Sequence, residues 1–139
     1  MADKKLEVFV ITPDATEREK YKFHGQADMA ILHCLTGDIG ILPGRVACSA
    51  ILGEGALRIL DNDIRRKVAV LGGVFHFEDD ILTLITQKAL LPGEVDIMAT
   101  QSQVQELESR IISETKAGER DKLRSELRRC KIMLDVAAG

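Results

Sequence analysis

The stretch VFHFEDDILTLIT, residues 74–86, holds two short apolar runs joined by three acids. Val74-Phe75-His76-Phe77 runs into Glu78-Asp79-Asp80, and Ile81 to Thr86 follows at once. Aromatic and β-branched residues suit a pleated, half-buried surface, and aspartates favour turns, so the spacing predicts a β-hairpin with an acidic turn. Toward the N-terminus the same grammar repeats. Val68 to Leu71, Leu57 to Leu60, Val46 to Leu52 and Met29 to Leu35 are further apolar runs, and Asp61-Asn62-Asp63 is a second polar turn cluster. Leu6 to Thr12 (LEVFVIT) is apolar at both parities, as a strand buried on both faces is. Short strands parted by turns about every 8 to 12 residues point to an all-β sandwich or barrel over residues 1–88.

Toward the C-terminus the period changes. Val104, Leu107 and Ile111 stand at helical spacing, and Leu123, Leu127, Cys130, Leu134 and Ala137 follow in alternating steps of four and three. Between them, Lys116-Ala117-Gly118 offers a cationic end and a glycine stop. Residues 93–139 are therefore expected to form an antiparallel helical hairpin, with Pro92-Gly93 as the hinge. All five aromatics, Phe9, Tyr21, Phe23, Phe75 and Phe77, precede it, so its packing is aliphatic and thin. Ile132, Met133 and Val136 form a second apolar strip, facing either the β half or a partner. Residues 120–131 carry Arg120, Lys122, Arg124, Arg128, Arg129 and Lys131 against Asp121 and Glu126, a solvated face or a docking face for an acidic partner.

Composition narrows the function. At 139 residues, 45% hydrophobic, the chain can bury a core and makes one domain, or one domain with an appendage. A net charge of −3 and a pI of about 5.6 leave no footprint for nucleic acid. The opening MADKKLEVFV lacks a long apolar run, so export is not expected. No segment approaches the ~20 apolar residues that span a bilayer, so no direct membrane insertion is expected. Cys34, Cys48 and Cys130, with His24, His33 and His76, show no paired spacing of the kind that holds zinc, and no metal is expected. No nucleophile motif and no metalloprotease motif appears, so the chain does not read as an enzyme, and no cofactor is expected. The glycine-rich GDIGILPGR, residues 37–45, fits neither main phosphate loop, because Arg45 is followed by Val46 and the glycine spacing is wrong for a dinucleotide fingerprint. Its glycines permit a sharp bend, with Ile39, Ile41 and Leu42 expected in the core and Asp38 and Arg45 on an exposed loop end.

Three motifs in order carry a resemblance. Gly37-Asp38-Ile39-Gly40-Ile41-Leu42-Pro43-Gly44 is similar to the G-[DE]-[FI]-G-[IV]-L-P-G segment of the epsilon subunits of bacterial and chloroplast F-type ATP synthases. Gly55-Ala56-Leu57-Arg58-Ile59 resembles that family's G-x-L-x-I strand, and Val70-Leu71-Gly72-Gly73-Val74-Phe75 its V-x-G-G-F segment. The resemblance covers nearly the whole chain and implies a mostly β fold with C-terminal α, a β-sandwich followed by an antiparallel two-helix hairpin. It implies a non-catalytic rotor-stalk subunit linking gamma to the c ring for ATP synthesis driven by an ion gradient. The subunit would sit peripherally on the cytoplasmic face of the bacterial inner membrane.

The hairpin would act as a brake on ATP hydrolysis when extended. The resemblance also implies that Asp38 and Arg45, at the loop end of the sandwich, face the c-ring loops, with Arg45 standing where the family commonly has histidine. Arg124, Arg128, Arg129 and Lys131 would meet acidic segments of the beta (and alpha) subunits. Some family members bind ATP at the hairpin through I-D-x-x-R-A and arginines on the second helix. Asp96 and Arg129 match that pattern, whereas Ala99 and Met133 stand where arginines would be, which weakens phosphate binding. The other readings of these residues are a free-standing nucleotide-responsive regulator and a scaffold whose hairpin forms a coiled coil.

Overall fold

The structure is a computed structural model describing residues 4–14 and 21–139; the N-terminal reading of MADKK lies partly outside them. Its strands are β1 (Leu6–Ile11), β2 (Phe23–Ala27), β3 (Met29–Cys34), β4 (Gly37–Ile41), β5 (Cys48–Asp61), β6 (Ile64–Glu78), β7 (Ile81–Ile85) and β8 (Ala89–Leu90). A short 3-10 helix (Pro92–Glu94) leads into α1 (Ile97–Ser113) and α2 (Ala117–Ala138).

Two turns set the long hairpins. Asn62 and Asp63 take φ of 49° and 67°, and Asp79 and Asp80 take 52° and 62°. Two consecutive left-handed residues twist a two-residue turn to match its strands, and Asn and Asp tolerate that geometry best. The first turn joins β5 to β6 and the second joins β6 to β7. The hairpin expected over residues 74–86 is present, with Val74 opposite Ile85 and Phe77 opposite Leu82.

The strands pair in the order β2-β1-β7-β6-β5-β3-β4, with β8 added to β6. All pairings are antiparallel except β1 with β7. β5 and β6 are 14 and 15 residues long and belong to both halves of this path. Their ladder keeps one register throughout but skips a single position, Gly53 opposite Gly72, between Leu52 opposite Gly73 and Glu54 opposite Leu71. On one side of that gap β6 meets β7, and β1 and β2 follow. On the other, β6 meets β8 and β5 meets β3 through Arg58, Ile59 and Leu60, and β3 then crosses a register shift to put Cys34 opposite Leu52. One sheet folded over itself thus makes both layers of a sandwich. Gly73 makes the fold-over possible: its φ is +117°, and a Cβ there would lie 2.1 Å from the Ile85 carbonyl oxygen.

Phe75, Phe77, Leu82, Leu84, Val8 and Val10 from one layer meet Ala30, Leu32, Ile41, Leu57, Ile59 and Val68 from the other, all but fully buried. Each large apolar side chain so buried contributes about 1.5–3 kcal/mol relative to exposure. The core continues through Ala89 of β8, with Leu91 packed against it. The run read from the sequence at 46–52, from Cys48 onward, and the run at 57–60 are one strand, as are 68–71 and 74–77, because the intervening glycines bend the ladder without ending it.

The helices pair through Leu107, Leu123 and Cys130, with Val104, Ile111, Leu127 and Met133 packed around them. Met133 therefore joins the interhelical seam, while Val136 is fully buried on α2, the helix that meets β5, β6 and the 3-10 helix. The hairpin turn comes earlier than Lys116-Ala117-Gly118 led us to expect. Gly118 is the second residue of α2, and the break falls at residues 114–116. There the Glu114 carboxylate accepts from the Thr115 and Lys116 amides, each at 3.0 Å, and the Arg120 guanidinium donates to the Glu114 carbonyl. A side chain satisfies the backbone groups that a left-handed glycine would otherwise serve.

Candidate functional site

The GDIGILPGR stretch is an edge strand followed by a turn. Residues 37–41 form β4, and Ile41 is fully buried while Ile39 packs on the core. Leu42, expected inside, is 54% exposed. The chain leaves the strand there, and the turn is tied down by polar bonds. The Gly44 amide donates to Asp80 Oδ1 at 2.7 Å, and Arg45 Nη1 donates to the Gly40 carbonyl at 3.3 Å. Gly44 has φ +84°, which side-chain-bearing residues rarely adopt. The turn therefore presents Leu42, Arg45 and Val46 to solvent beside the acidic β6–β7 turn.

Asp38 does not share that loop end. It lies on β4 opposite His33, accepts from His33 Nδ1 at 2.8 Å and pairs with Arg58 Nη2 at 3.1 Å. The hydrogen bond from His33, with the charges of His33 and Arg58, holds its carboxyl below the usual range against slight desolvation.

The four basic residues singled out on α2 divide into two groups. Arg129 turns toward the sandwich: its Nε and Nη2 each lie 2.9 Å from Glu54 Oε1 on β5. Six residues on, Asp135 Oδ1 accepts from Lys67 Nζ on β6 at 3.2 Å. These two pairs cross from α2 to the sheet. Partly exposed pairs of this kind contribute about 0–1 kcal/mol each. Arg124, Arg128 and Lys131 are exposed and make no ion pair among the described residues; Arg128 reaches only Ser125 Oγ, at 3.4 Å.

Asp96 and Arg129, the two residues matching the nucleotide pattern, have separate partners. Asp96 is the N-cap of α1 and accepts from the Ala99 amide at 3.1 Å, while Arg129 is held by Glu54. Cys34 and Cys130 are buried free thiols, both pushed up chiefly by burial, which keeps them protonated. Among the described residues no group of His, Cys, Asp and Glu gathers at a metal-binding spacing, and no helix is long and apolar enough to cross a membrane.

Sequence reasoning missed one surface. Ile51, Val74 and Ile85 stand side by side on β5, β6 and β7, and are 58%, 47% and 54% exposed. Half-buried Ile11 extends the row on β1, and on the same face Phe9 stacks on His24 at 4.2 Å, with Tyr21 at 4.8 Å from Phe9. The signal was in ILTLI: Leu82 and Leu84 already fill the core, so apolar residues at the opposite parity face outward.

Comparison with known proteins agrees with this architecture. Residues 5–92 match the family model described as ATP synthase, Delta/Epsilon chain, beta-sandwich domain. An ATP synthase epsilon chain of Halalkalibacterium halodurans is 34% identical over 134 residues, covering 95% of this chain and 96% of its own. One from Brevibacillus brevis is 33% identical over 108 residues, covering 77% of this chain and 78% of its own. Among solved structures, a chain of the Euglena gracilis mitochondrial ATP synthase OSCP/F1/c-ring assembly superposes with TM-score 0.73 at 15% identity, over 99% of this chain and 86% of that one. A chain of the Tetrahymena thermophila mitochondrial ATP synthase central stalk/c-ring gives TM-score 0.60 at 14% identity, over 96% and 97%. These two likenesses concern the fold. With the family model over most of the chain and an epsilon-chain relative over nearly all of it, the chain belongs to the family of ATP synthase epsilon chains.

Proposed function

We propose that this chain is the non-catalytic rotor subunit that ties gamma to the c ring, and that its helical hairpin is a releasable brake on ATP hydrolysis. The observation that carries the reading is the docking of α2. Two partly exposed ion pairs, Arg129 with Glu54 and Lys67 with Asp135, fasten it to the sheet, while Arg124, Arg128 and Lys131 remain free for an acidic partner. A contact of this kind is weak enough for partners to shift. The turn carrying Leu42 and Arg45 supplies an exposed, pinned end for the c-ring loops, and Asp38 stiffens the adjoining edge strand. As part of the complex, the subunit would lie peripherally on the cytoplasmic face of a bacterial inner membrane.

The exposed row Ile51, Val74 and Ile85 fits the flank that packs on gamma. Apolar area of this kind on a monomer surface marks a protein interface. Val74→Glu points outward and leaves the core in place, so the fold should persist. Co-purification with gamma should fall about tenfold or more, the scale of one buried unpaired charge at an interface. Retention of gamma at the wild-type level would remove this face from the reading.

Nucleotide binding by the hairpin is not part of the proposal. Asp96 is engaged in capping and Arg129 in a pair with Glu54, and Ala99 and Met133 supply no cation. Isothermal calorimetry on the isolated chain should show no ATP binding at micromolar concentration. A micromolar dissociation constant would overturn this assignment.

A further inference from the structure

Three adjoining cavities run along the outer face of the layer that contains β3. One of about 330 Å³ lies over Ile31 and Leu60, flanked by Arg58, Arg65, Arg66 and Lys67. Another, about 350 Å³, shares Arg58 and Lys67 with it and continues past Ala56 to Asp135. A third, about 410 Å³, shares Ala56 and Asp135 with the second and ends among Arg124, Arg128 and Lys131, over Leu127 and Ile132. Shared walls make them one groove from the β5–β6 hairpin to α2. Its walls hold seven cations against three carboxylates, in a chain whose net charge is −3. Asp38 and Asp135 are engaged by Arg58 and Lys67, and Glu54 by Arg129 through Oε1, its Oε2 being buried without a partner. Arg65, Arg124 and Lys131 have no ion pair among the described residues.

We infer that this groove docks an acidic, partly apolar peptide segment, held by the sheet on one side and by α2 on the other. Charge complementarity sets the sign of the partner. Length sets its kind: the β5 stretch from Leu60 to Ala56 spans about 13 Å at strand rise, and Arg124 to Lys131 adds about 10 Å of helix. A lone small anion reaches one part of such a groove, whereas an extended segment of about seven residues covers it. Engaged carboxylates stand between the cations, so the unbroken charge of a nucleic acid strand would meet Asp38, Glu54 and Asp135. A peptide spaces its acids and lays apolar side chains on Ile31, Leu60 and Leu127. The site is bipartite. Arg65 belongs to the sheet and Arg124 to the hairpin, so it exists only while α2 is docked, unlike any surface of an undocked arm, and it stands whether or not the hairpin is a brake.

The test is fluorescence anisotropy on the full chain with a labelled synthetic peptide of alternating Glu and Leu, at low and at physiological salt. Arg65→Glu on the sheet and Arg124→Glu on the helix should each weaken binding about tenfold or more, and Lys88→Glu, outside the groove, less than about twofold. Circular dichroism checks each fold; if Arg65→Glu unfolds, Arg65→Gln should weaken binding in the same direction by a smaller factor. Raised salt should weaken wild-type binding. The inference is overturned if the wild type does not bind at low salt, or if Arg65 variants bind normally while Arg124→Glu does not. It is also overturned if an oligonucleotide of equal charge binds more tightly than the peptide.

Discussion

Deleting residues 93–139 should raise ATP hydrolysis by the reconstituted complex severalfold while leaving assembly and ATP synthesis largely intact. The cut preserves the sandwich, because the strands end with β8 at Leu90 and Leu91 still packs on the core. What it removes is α1, α2 and the exposed Arg124, Arg128 and Lys131. Replacing those three with alanine should act in the same direction, more weakly. The Arg129–Glu54 pair predicts an opposite effect. Glu54→Ala frees Arg129 and loosens α2, so it should favour the extended arm and lower hydrolysis. A pair worth about 1 kcal/mol shifts the docked-to-free ratio about fivefold. Hydrolysis rates measured on all three variants at two salt concentrations decide the matter. Unchanged hydrolysis after truncation, or lost assembly, would make the hairpin structural, and a rise on Glu54→Ala would reverse the proposed role of the docked state.

A second large effect is expected at Gly73. Gly73→Val would place a Cβ 2.1 Å from the Ile85 carbonyl oxygen and 2.9 Å from Thr86 Cα, in a residue with φ +117°. Backbone cannot yield there without separating β6 from β7. The loss should exceed about 4 kcal/mol, a large fraction of the roughly 5–15 kcal/mol that holds an ordinary domain folded. Gly40→Ala is the control: nothing lies within 4 Å of its Cβ position, so it should change stability by less than about 1 kcal/mol. Urea denaturation of the two variants compares them directly. A wild-type midpoint for Gly73→Val would mean the fold-over is built differently.

The hairpin at residues 74–86 was legible because its turn chemistry and its flanking runs agree, and both lie within one short window. The two helices were legible for the same reason, their seams being periodic. Less visible was the continuity of β5 and β6. Gly53 and Gly72-Gly73 read as breaks, since local sequence cannot distinguish a glycine that ends a strand from one that bends it between layers. β2 (FHGQA) alternates Phe23, Gly25 and Ala27 inward with His24 and Gln26 outward, but glycine and alanine make that signal faint; it pairs along β1, where Phe9 offers a ring on which His24 stacks. The site was half legible. The basic residues of α2 stood out by composition, but that Arg129 faces inward depends on Glu54, 75 positions away, and only the fold brings them together.

The unbroken passage of β5 and β6 through both layers also bears on mechanics. Their ladder holds thirteen residue pairs, and it runs across the fold-over. In a sandwich whose layers are joined only by loops, a twisting load is carried by side-chain packing and by flexible connectors. Here the same two strands are the connector. Torque applied to one layer is transmitted along covalent backbone and resisted by many hydrogen bonds strained side by side, so no single bond bears it alone. The domain should therefore be torsionally stiff between its two faces, with its elastic compliance gathered at Gly53 and Gly72-Gly73. A part mounted between turning neighbours with that distribution of stiffness would pass on rotation with little lag, storing little energy of twist in itself.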